Sequence, residues 1–466
     1  MSIDLGVLRA SALGFVVAWA APAGAQGLPG QAMLGRQLFF DTTLSTPPGQ
    51  ACSSCHDPAT GFRIPDSRVN LNYGVAVGAL PRRVTNRSAP TIAYAAFLPE
   101  GPPSAHFQVR SNRKSMGELL FIGGLFWDGR ARNLEEQATF PFQNPNEMND
   151  LVHNVGSPEL VVEKVRNSAY TDLFRRVYGA NVFDQPTHAV FADIVQAIGA
   201  YERSPEVSPF TSKFDAYRRR QTRLTQDELD GMRLMTGTWN GLTVGLPYTK
   251  NAQCIVCHGI EDHLADGNSM WTFSCYTNIG VPKNPDNPFY AQTDSVTNPV
   301  GYNPYGDDYV DFGLGEIIYP INGLPRGNRG PRSNGHGDFL AINGGFKVPT
   351  LRNVDKRPHP GFVKAYMHNG VFKSLKEVVH FYNTRNLTTV PGEVIDFTQD
   401  DPYAHLQGQP LWPRPEVISP QALLNPTGIP GQDGGEVGNL GLTDLEEDHI
   451  VAFLKALTDG FVPEGP

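Results

Sequence analysis

Cysteine is scarce in this chain, five in 466 residues, so a disulfide-stapled scaffold is excluded. An excess of basic charge is also lacking. Lys and Arg number 38 against 47 Asp and Glu, for a net charge of −9, which argues against nucleic acid as a partner. Long apolar runs are missing too: the one candidate, Ala10 to Ala20, is short of the roughly 18 residues of a membrane-spanning helix. Hydrophobic residues make up 40% and charged residues only 18%, a balance that fills a sizeable core and excludes disorder. What the chain holds in excess is turn formers. Its 48 glycines and 39 prolines together exceed the ordinary background of about 12%, so a folded protein with much loop is expected.

The N-terminus reads as an export signal. Arg9 precedes the apolar run, and the small-residue site Ala23-Gly24-Ala25 leads to Gln26. Asp4 offsets Arg9, which weakens the signal, and a membrane anchor is the competing reading. Pro22 and the shortness of the run oppose it. Residues 1–25 are therefore expected to be removed, leaving a soluble periplasmic protein with no membrane span.

Helical signals recur along the rest, and few strands compete with them. Pro29 to Phe40 reads as a first helix. Ser157-Pro158-Glu159 offers an N-cap with proline at the first helical position, for a helix running to Tyr178. Thr187 is expected to cap a segment with Val190, Ile194, Ala197, Ile198 and Tyr201 at helical spacing. Capping boxes follow at Thr225 with Glu228, Ser374 with Glu377, and Thr443 with Glu446. A last helix carries Ile450, Phe453, Leu454 and Leu457 and stops at Gly460. Between these lie turn-rich stretches, about 267–345 and 386–440, expected as loop insertions. A linker from Ser204 to Pro209 divides the chain into halves, 26–208 and 209–466. The predicted class is mainly α.

Four of the five cysteines fall in two Cys-x-x-Cys-His strings, Cys52 to His56 and Cys254 to His258. Two thiols so spaced can each add to one vinyl group of a haem, and the following His then lies beneath the iron. A four-thiolate zinc site or a pair of redox motifs are the alternatives, but neither needs His after the second Cys in both copies. Two covalent c-type haems are expected, one in each half. Beyond these strings no repeat is alignable. Cys275 has no partner left and is expected as a buried structural residue.

The residues around these strings resemble the bacterial di-haem cytochrome c peroxidase and MauG family. The likeness rests on Gly35-Arg36-Gln37-Leu38-Phe39-Phe40-Asp41, Phe126-Trp127-Asp128-Gly129-Arg130-Ala131, Asn144-Pro145-Asn146-Glu147-Met148, Phe346 to Asn353, and Tyr366-Met367-His368-Asn369-Gly370. It implies two cytochrome c-like domains, with a peroxide-reactive haem on His56 and an electron-transfer haem on His258. It further implies Glu147 as the distal acid–base group, Gln137 as its polar companion beside Pro141, and Trp127 between the haems. A calcium ion would be held by Asn86 and carbonyls near Val363 and Ala365.

Three positions depart from the family pattern. The only histidine between Asp57 and Trp127 is His106, late in the stretch and read as a surface residue, so the reactive haem would stand open without reductive activation. The helix after the His-Asn-Gly block presents Tyr382, the MauG-type sixth ligand for the second haem, where Met is usual in the peroxidases. Met367 is the fallback. Leu375, Val378, Val379 and Tyr382 also form an apolar helical face, so core packing competes with ligation. The MauG-type Trp before the second motif is absent from Tyr248 to Gln253, and Trp239 lies well upstream. The leading expectation is a periplasmic di-haem peroxidase that reduces hydrogen peroxide with electrons from a small cytochrome c or cupredoxin. A MauG-type oxidase acting on a protein or organic donor is the alternative, followed by a non-enzymatic electron-transfer cytochrome. Oligomeric state is open, homodimers being common in the family.

Overall fold

The helices form where apolar residues recur at helical spacing. They are α1 (Gly30–Phe40), α2 (Ser67–Asn72), α3 (Leu134–Gln143), α4 (Pro158–Arg166), α5 (Thr171–Tyr178), α6 (Thr187–Glu202), α7 (Lys213–Arg218), α8 (Gln226–Thr236), α9 (Leu314–Ile318), α10 (Leu375–Thr384) and α11 (Asp444–Lys455). Among the described residues three short antiparallel pairs join them: β1 (Ser104–Phe107) with β2 (Leu119–Ile122), β3 (Leu151–Val152) with β4 (Val155–Gly156), and β5 (Tyr276–Thr277) with β6 (Phe346–Lys347). The computed structural model describes residues 28–101, 104–107, 119–237, 252, 254–259, 268–294, 301, 303–318, 343–397, 401–418 and 437–463. Among them the chain is mainly helical with few strands, and no helix is long and apolar enough to cross a membrane.

Two close helix crossings organise the chain. Gly35 of α1 lies so near α6 that a Cβ there would stand 1.8 Å from the Ala197 carbonyl oxygen. Gly231 of α8 meets α11 in the same way, 1.9 Å from the His449 carbonyl oxygen. Only glycine permits either approach. Leu34, Leu38, Ile194 and Ile198 fill the core around the first crossing. Leu234, Met235, Ile450, Phe453 and Leu454 fill the second, with Trp271 and Phe381.

The helix expected from Ser157 to Tyr178 is broken into α4 and α5. Asn167 directs both its backbone N–H and its side-chain amide to the Glu163 carbonyl, and Ser168 bonds back to Val165. These polar side chains compete for the carbonyls a continuing helix would need. Ser157 gives its hydroxyl to the Glu159 carboxylate and caps no backbone group, while Pro186, not Thr187, holds the N-cap position of α6. The boxes at Thr225 and Thr443 close in both directions. At Ser374 only half forms, since the Glu377 carboxylate accepts from the Lys373 N–H instead. The last helix ends at Lys455, short of Gly460, with its four expected core residues buried.

The Ser204–Pro209 turn is no exposed linker. Ser204, Val207 and Ser208 are buried, and the Ser208 hydroxyl accepts from the Tyr94 N–H at 2.9 Å. The described parts of the 267–345 stretch are pinned by buried amide side chains. Gln292 bonds both backbone groups of Val84, Asn287 reaches the Asn86 carbonyl, and Asn284 reaches those of Tyr73 and Asn369. Polar anchoring of this kind leaves no hydrophobic period to read. In the 386–440 stretch, Trp412 packs edge-on against Phe372 and Phe381 and donates to Thr384.

Two candidate haem sites

Each Cys-x-x-Cys-His string closes into one tight turn. The His56 N–H bonds to the Cys52 carbonyl at 2.9 Å, and the His258 N–H to the Cys254 carbonyl at 2.8 Å, so both thiols and the imidazole border one cavity in each case. The His56 Nδ1–H donates to the Phe62 carbonyl at 3.1 Å, and the His258 Nδ1–H to the Trp271 carbonyl at 3.2 Å. A neutral ring protonated on Nδ1 carries its lone pair on Nε2, the arrangement a metal-binding imidazole needs; the Pro90 and Pro349 carbonyls are further hydrogen-bond partners of the two rings. Burial pushes both imidazoles down to about 4, keeping them neutral, and it pushes the Cys55 and Cys254 thiols up to about 12.

The two accepting carbonyls belong to buried aromatics with positive φ, 60° at Phe62 and 51° at Trp271. Bulky residues rarely adopt this conformation, and it persists only where surrounding packing imposes it. The duplication continues further. Thr91 donates to the Gly61 carbonyl and caps the Ala93 N–H, while Thr350 donates to the Met270 carbonyl and caps the Arg352 N–H. Tyr94 and Asn353 follow with φ of 66° and 58°. A repeat is therefore present beyond the five-residue strings, and its sequence trace is Pro90-Thr91-Ile92 against Pro349-Thr350-Leu351. It escapes alignment because the second copy carries the longer intervening stretch.

Around the first site, α3 supplies Gln137 and Pro141, and the turn after it supplies Glu147. All three border one cavity with Cys52, Cys55 and His56. Asn144 donates from Nδ2 to the Glu147 Oε1 at 2.7 Å. Burial raises the Glu147 carboxyl above its ordinary value, while the Arg130 charge and the Asn144 amide oppose the rise. A second carboxyl in the same wall, Glu202 at the end of α6, carries no motif and was missed from the sequence.

Trp127 borders the His258 cavity and a further cavity that shares His56 and Gln137, but not Glu147, with the one above. Its indole N–H donates to the Ser88 carbonyl at 2.8 Å, and its own carbonyl accepts from the Lys347 N–H. Lys347, Val348, Pro349 and Thr350 line both cavities as well.

The second cavity is walled by Leu375, Val378, Val379 and Tyr382, with Met367 on the same wall. The apolar face of α10 thus borders open space. The Tyr382 hydroxyl makes no hydrogen bond among the described residues, and burial raises its pKa. Cys275 is buried as expected, yet it has a neighbour, since its thiol is hydrogen-bonded with that of Cys257.

The groups expected around calcium also make protein hydrogen bonds. The Asn86 amide donates to the Tyr309 hydroxyl, the Val363 carbonyl accepts from Asn70, and the Ala365 carbonyl accepts from the half-buried Arg63 guanidinium. His106 lies in β1 opposite Leu120. The signal segment, Trp239, and the stretch from Tyr248 to Gln253 apart from Ala252 fall outside the described residues.

Residues 29–223 match the family model described as di-haem cytochrome c peroxidase. Over 433 residues the chain is 32% identical to methylamine utilization protein MauG of Paracoccus denitrificans (strain Pd 1222), covering 92% of this chain and 88% of that one. The chain therefore belongs to the di-haem cytochrome c peroxidase and MauG family of oxidoreductases. It is also 25% identical over 358 residues to cytochrome-c peroxidase IdrP1 of Pseudomonas sp. (strain SCT), covering 75% and 71% of the two chains. The crystal structure of the diheme peroxidase BthA from Burkholderia thailandensis E264 superposes with a TM-score of 0.63 at 26% identity, covering 92% of this chain and 86% of that one. Membership implies two haem groups. The residues present fit them: each cavity offers a neutral imidazole with Nδ1 already engaged and a thiol pair on the same wall.

Proposed function

We propose that this chain is an exported di-haem c-type peroxidase. Hydrogen peroxide is reduced at the Cys52–Cys55–His56 site, and electrons arrive from a small cytochrome c or cupredoxin through the Cys254–Cys257–His258 site. Its architecture is read as two cytochrome c-like units, 26–208 and 209–466. The observation that carries the reading is the wall shared by His56, Gln137 and Glu147, which sets an acid–base group and an amide beside one candidate haem. The second cavity offers Tyr382 and Met367 amid apolar side chains.

Haem, when bound, supplies an iron that takes peroxide at the first site and a second redox centre to pass electrons on. The chain does the rest. Each cysteine S–H adds across one vinyl double bond, fixing the group by thioethers. His56 and His258 present Nε2, held by their Nδ1 hydrogen bonds. Glu147 takes the proton from one peroxide oxygen and returns it to the other, the leaving water. Gln137 offers an amide beside it, and Trp127, which lines the His258 cavity and a further one reaching His56, is the proposed path for electrons. Tyr382 is the proposed oxygen ligand of the second iron, favouring its higher oxidation states, with Met367 the alternative. The acidic net charge suits a donor with a basic docking face.

A MauG-type oxidation of a protein or organic donor is the second reading. It is favoured by the match to MauG over 92% of the chain and by Tyr382 on the cavity wall.

Peroxide turnover with reduced cytochrome c tests the proposal. Glu147→Gln should lower the rate by about 10²–10⁴-fold at unchanged haem content, and turnover surviving the change would remove Glu147 from its role. Peroxide-oxidised protein that ignores cytochrome but decays on adding an organic or protein donor would select the MauG-type reading.

A further inference from the structure

We infer that Glu202 supplies protons to the peroxide cavity during the reductive half of the reaction, as a second carboxyl separate from Glu147. This rests on the peroxidase reading above. Glu202 closes α6 at 3% exposure. Its Oε2 is buried with no hydrogen-bond partner, and the side chain borders the cavity wall that also holds Cys52, His56 and Glu147. The remainder of that wall is mostly apolar, with Phe39, Phe142 and Ile198 among its members.

An ionised carboxylate in such a place is expensive. Burial pushes Glu202 up to about 8, so it holds its proton at neutral pH. The charges about it are few. Arg203 on its own helix lowers the value, and Glu135 of α3 raises it. Those two groups are paired with each other at 2.5 Å near the surface, and Glu100 lies 3.7 Å from Arg203. From the haem-binding turn comes the Cys52 thiol, which senses both Glu202 and Glu147. On α1, Arg36 is held by Glu206, and on α4, Lys164 is held by Asp150. None of these neutralises a Glu202 carboxylate by direct hydrogen bonding. A neutral, unpartnered carboxyl adds nothing to the packing that an apolar residue of its size would not, so its proton is the property worth explaining.

The reaction needs protons from outside the cavity: H₂O₂ + 2 H⁺ + 2 e⁻ → 2 H₂O. Cleavage of the O–O bond uses none, because Glu147 removes a proton from one oxygen and returns it to the other. Both protons of the balance enter with the two electrons, which come from the reduced redox protein. Glu202 gives its proton to the oxygen that becomes the second water and is refilled from solvent past the Glu135–Arg203 pair.

The test uses wild-type, Glu202→Gln and Glu202→Asp holoprotein in rapid-mixing experiments. Oxidation by peroxide and the return driven by reduced cytochrome c are followed separately between about pH 5 and pH 9, in water and in deuterium oxide. The infrared band of a protonated carboxyl is recorded on resting protein at neutral pH. Glu202→Gln should leave the peroxide step within about twofold, slow the return by about 10²-fold, abolish its pH inflection and remove the infrared band. Glu202→Asp should recover part of the rate. A return rate and pH profile unchanged in Glu202→Gln, or no band lost, overturns the inference while the peroxidase reading stands. Wild-type protein that fails to react with peroxide overturns that reading, and this inference with it.

Discussion

Asn144 should control the pH at which the peroxide reaction switches on. Its Nδ2 donates to the Glu147 Oε1 at 2.7 Å, and its Oδ1 accepts from the Asn146 N–H at 2.9 Å. Burial, the largest influence on Glu147, raises the carboxyl; the Arg130 charge and the Asn144 amide pull it back. A hydrogen bond to a charged group is worth about 1.5–3 kcal/mol, and one pK unit corresponds to about 1.36 kcal/mol. Removing the amide in Asn144→Ala should therefore raise Glu147 by about 1–2 units. The base works only when ionised, so activity is lost as pH falls through its pKa. The acid limb of the second-order rate constant must then move upward by the same amount, with the high-pH plateau retained. Asn144→Asp sets a second carboxylate beside Glu147 and should move the limb further, since like charges resist ionising together. Stopped-flow oxidation by peroxide between about pH 4 and pH 8 measures this, with haem content and circular dichroism as controls. If the limb in Asn144→Ala stays within a few tenths of a unit of wild type, the coupling is refuted. A uniform fall in rate without movement of the limb would show that Asn144 acts only by holding its turn.

Two further outcomes follow from the helix crossings and the second cavity. Gly35→Ala and Gly231→Ala each drive a Cβ to within 2 Å of a backbone oxygen; each should cost about 1–3 kcal/mol or more, read as a lower denaturant midpoint, and an unchanged midpoint would show that the helices part freely. Tyr382→Phe should change the absorption and electron paramagnetic resonance spectra of the second haem and raise its reduction potential. An unaltered spectrum and potential would return Tyr382 to packing and leave Met367 as the candidate ligand.

The haem-binding strings, the helix pattern and the family were legible in the sequence because each leaves a local trace. Cys-x-x-Cys-His fixes three chemical groups within five residues, and helical spacing exposes the core faces of α6 and α11. What failed to show was set by polar side chains whose partners apolar spacing does not reveal, whether close by or distant in sequence. The break between α4 and α5 comes from Asn167 and Ser168 bonding back to carbonyls, and nothing in the apolar period forecasts it. Glu202 looks like any helix-end carboxylate until the fold turns it toward Cys52. The hydrogen bonds around the expected calcium group are hidden in the same way. Arg63 and Asn70, distant in sequence from Ala365 and Val363, donate to their carbonyls, and only the folded chain reveals those contacts.

The internal duplication explains how one chain can hold two sites of different character. In both halves the same device fixes the imidazole: a glycine-mediated helix crossing, a buried aromatic with positive φ accepting from Nδ1–H, and a Pro-Thr turn beneath it. None of these groups distinguishes one site from the other, so the proximal half of each site is common property. The difference lies in the rest of each lining, where the first cavity carries Gln137, Glu147 and Glu202 and the second carries Tyr382 and Met367 among apolar side chains, with Asp311, His368 and Glu416 also on its wall. The wall from Lys347 to Thr350, with Trp127 fixed to Ser88 and Lys347, separates the His258 cavity from a further cavity that reaches His56 and Gln137 but neither Glu147 nor Glu202. Glu147 and Glu202 border only the first cavity, so substitutions at either should leave the spectrum of the His258 haem untouched.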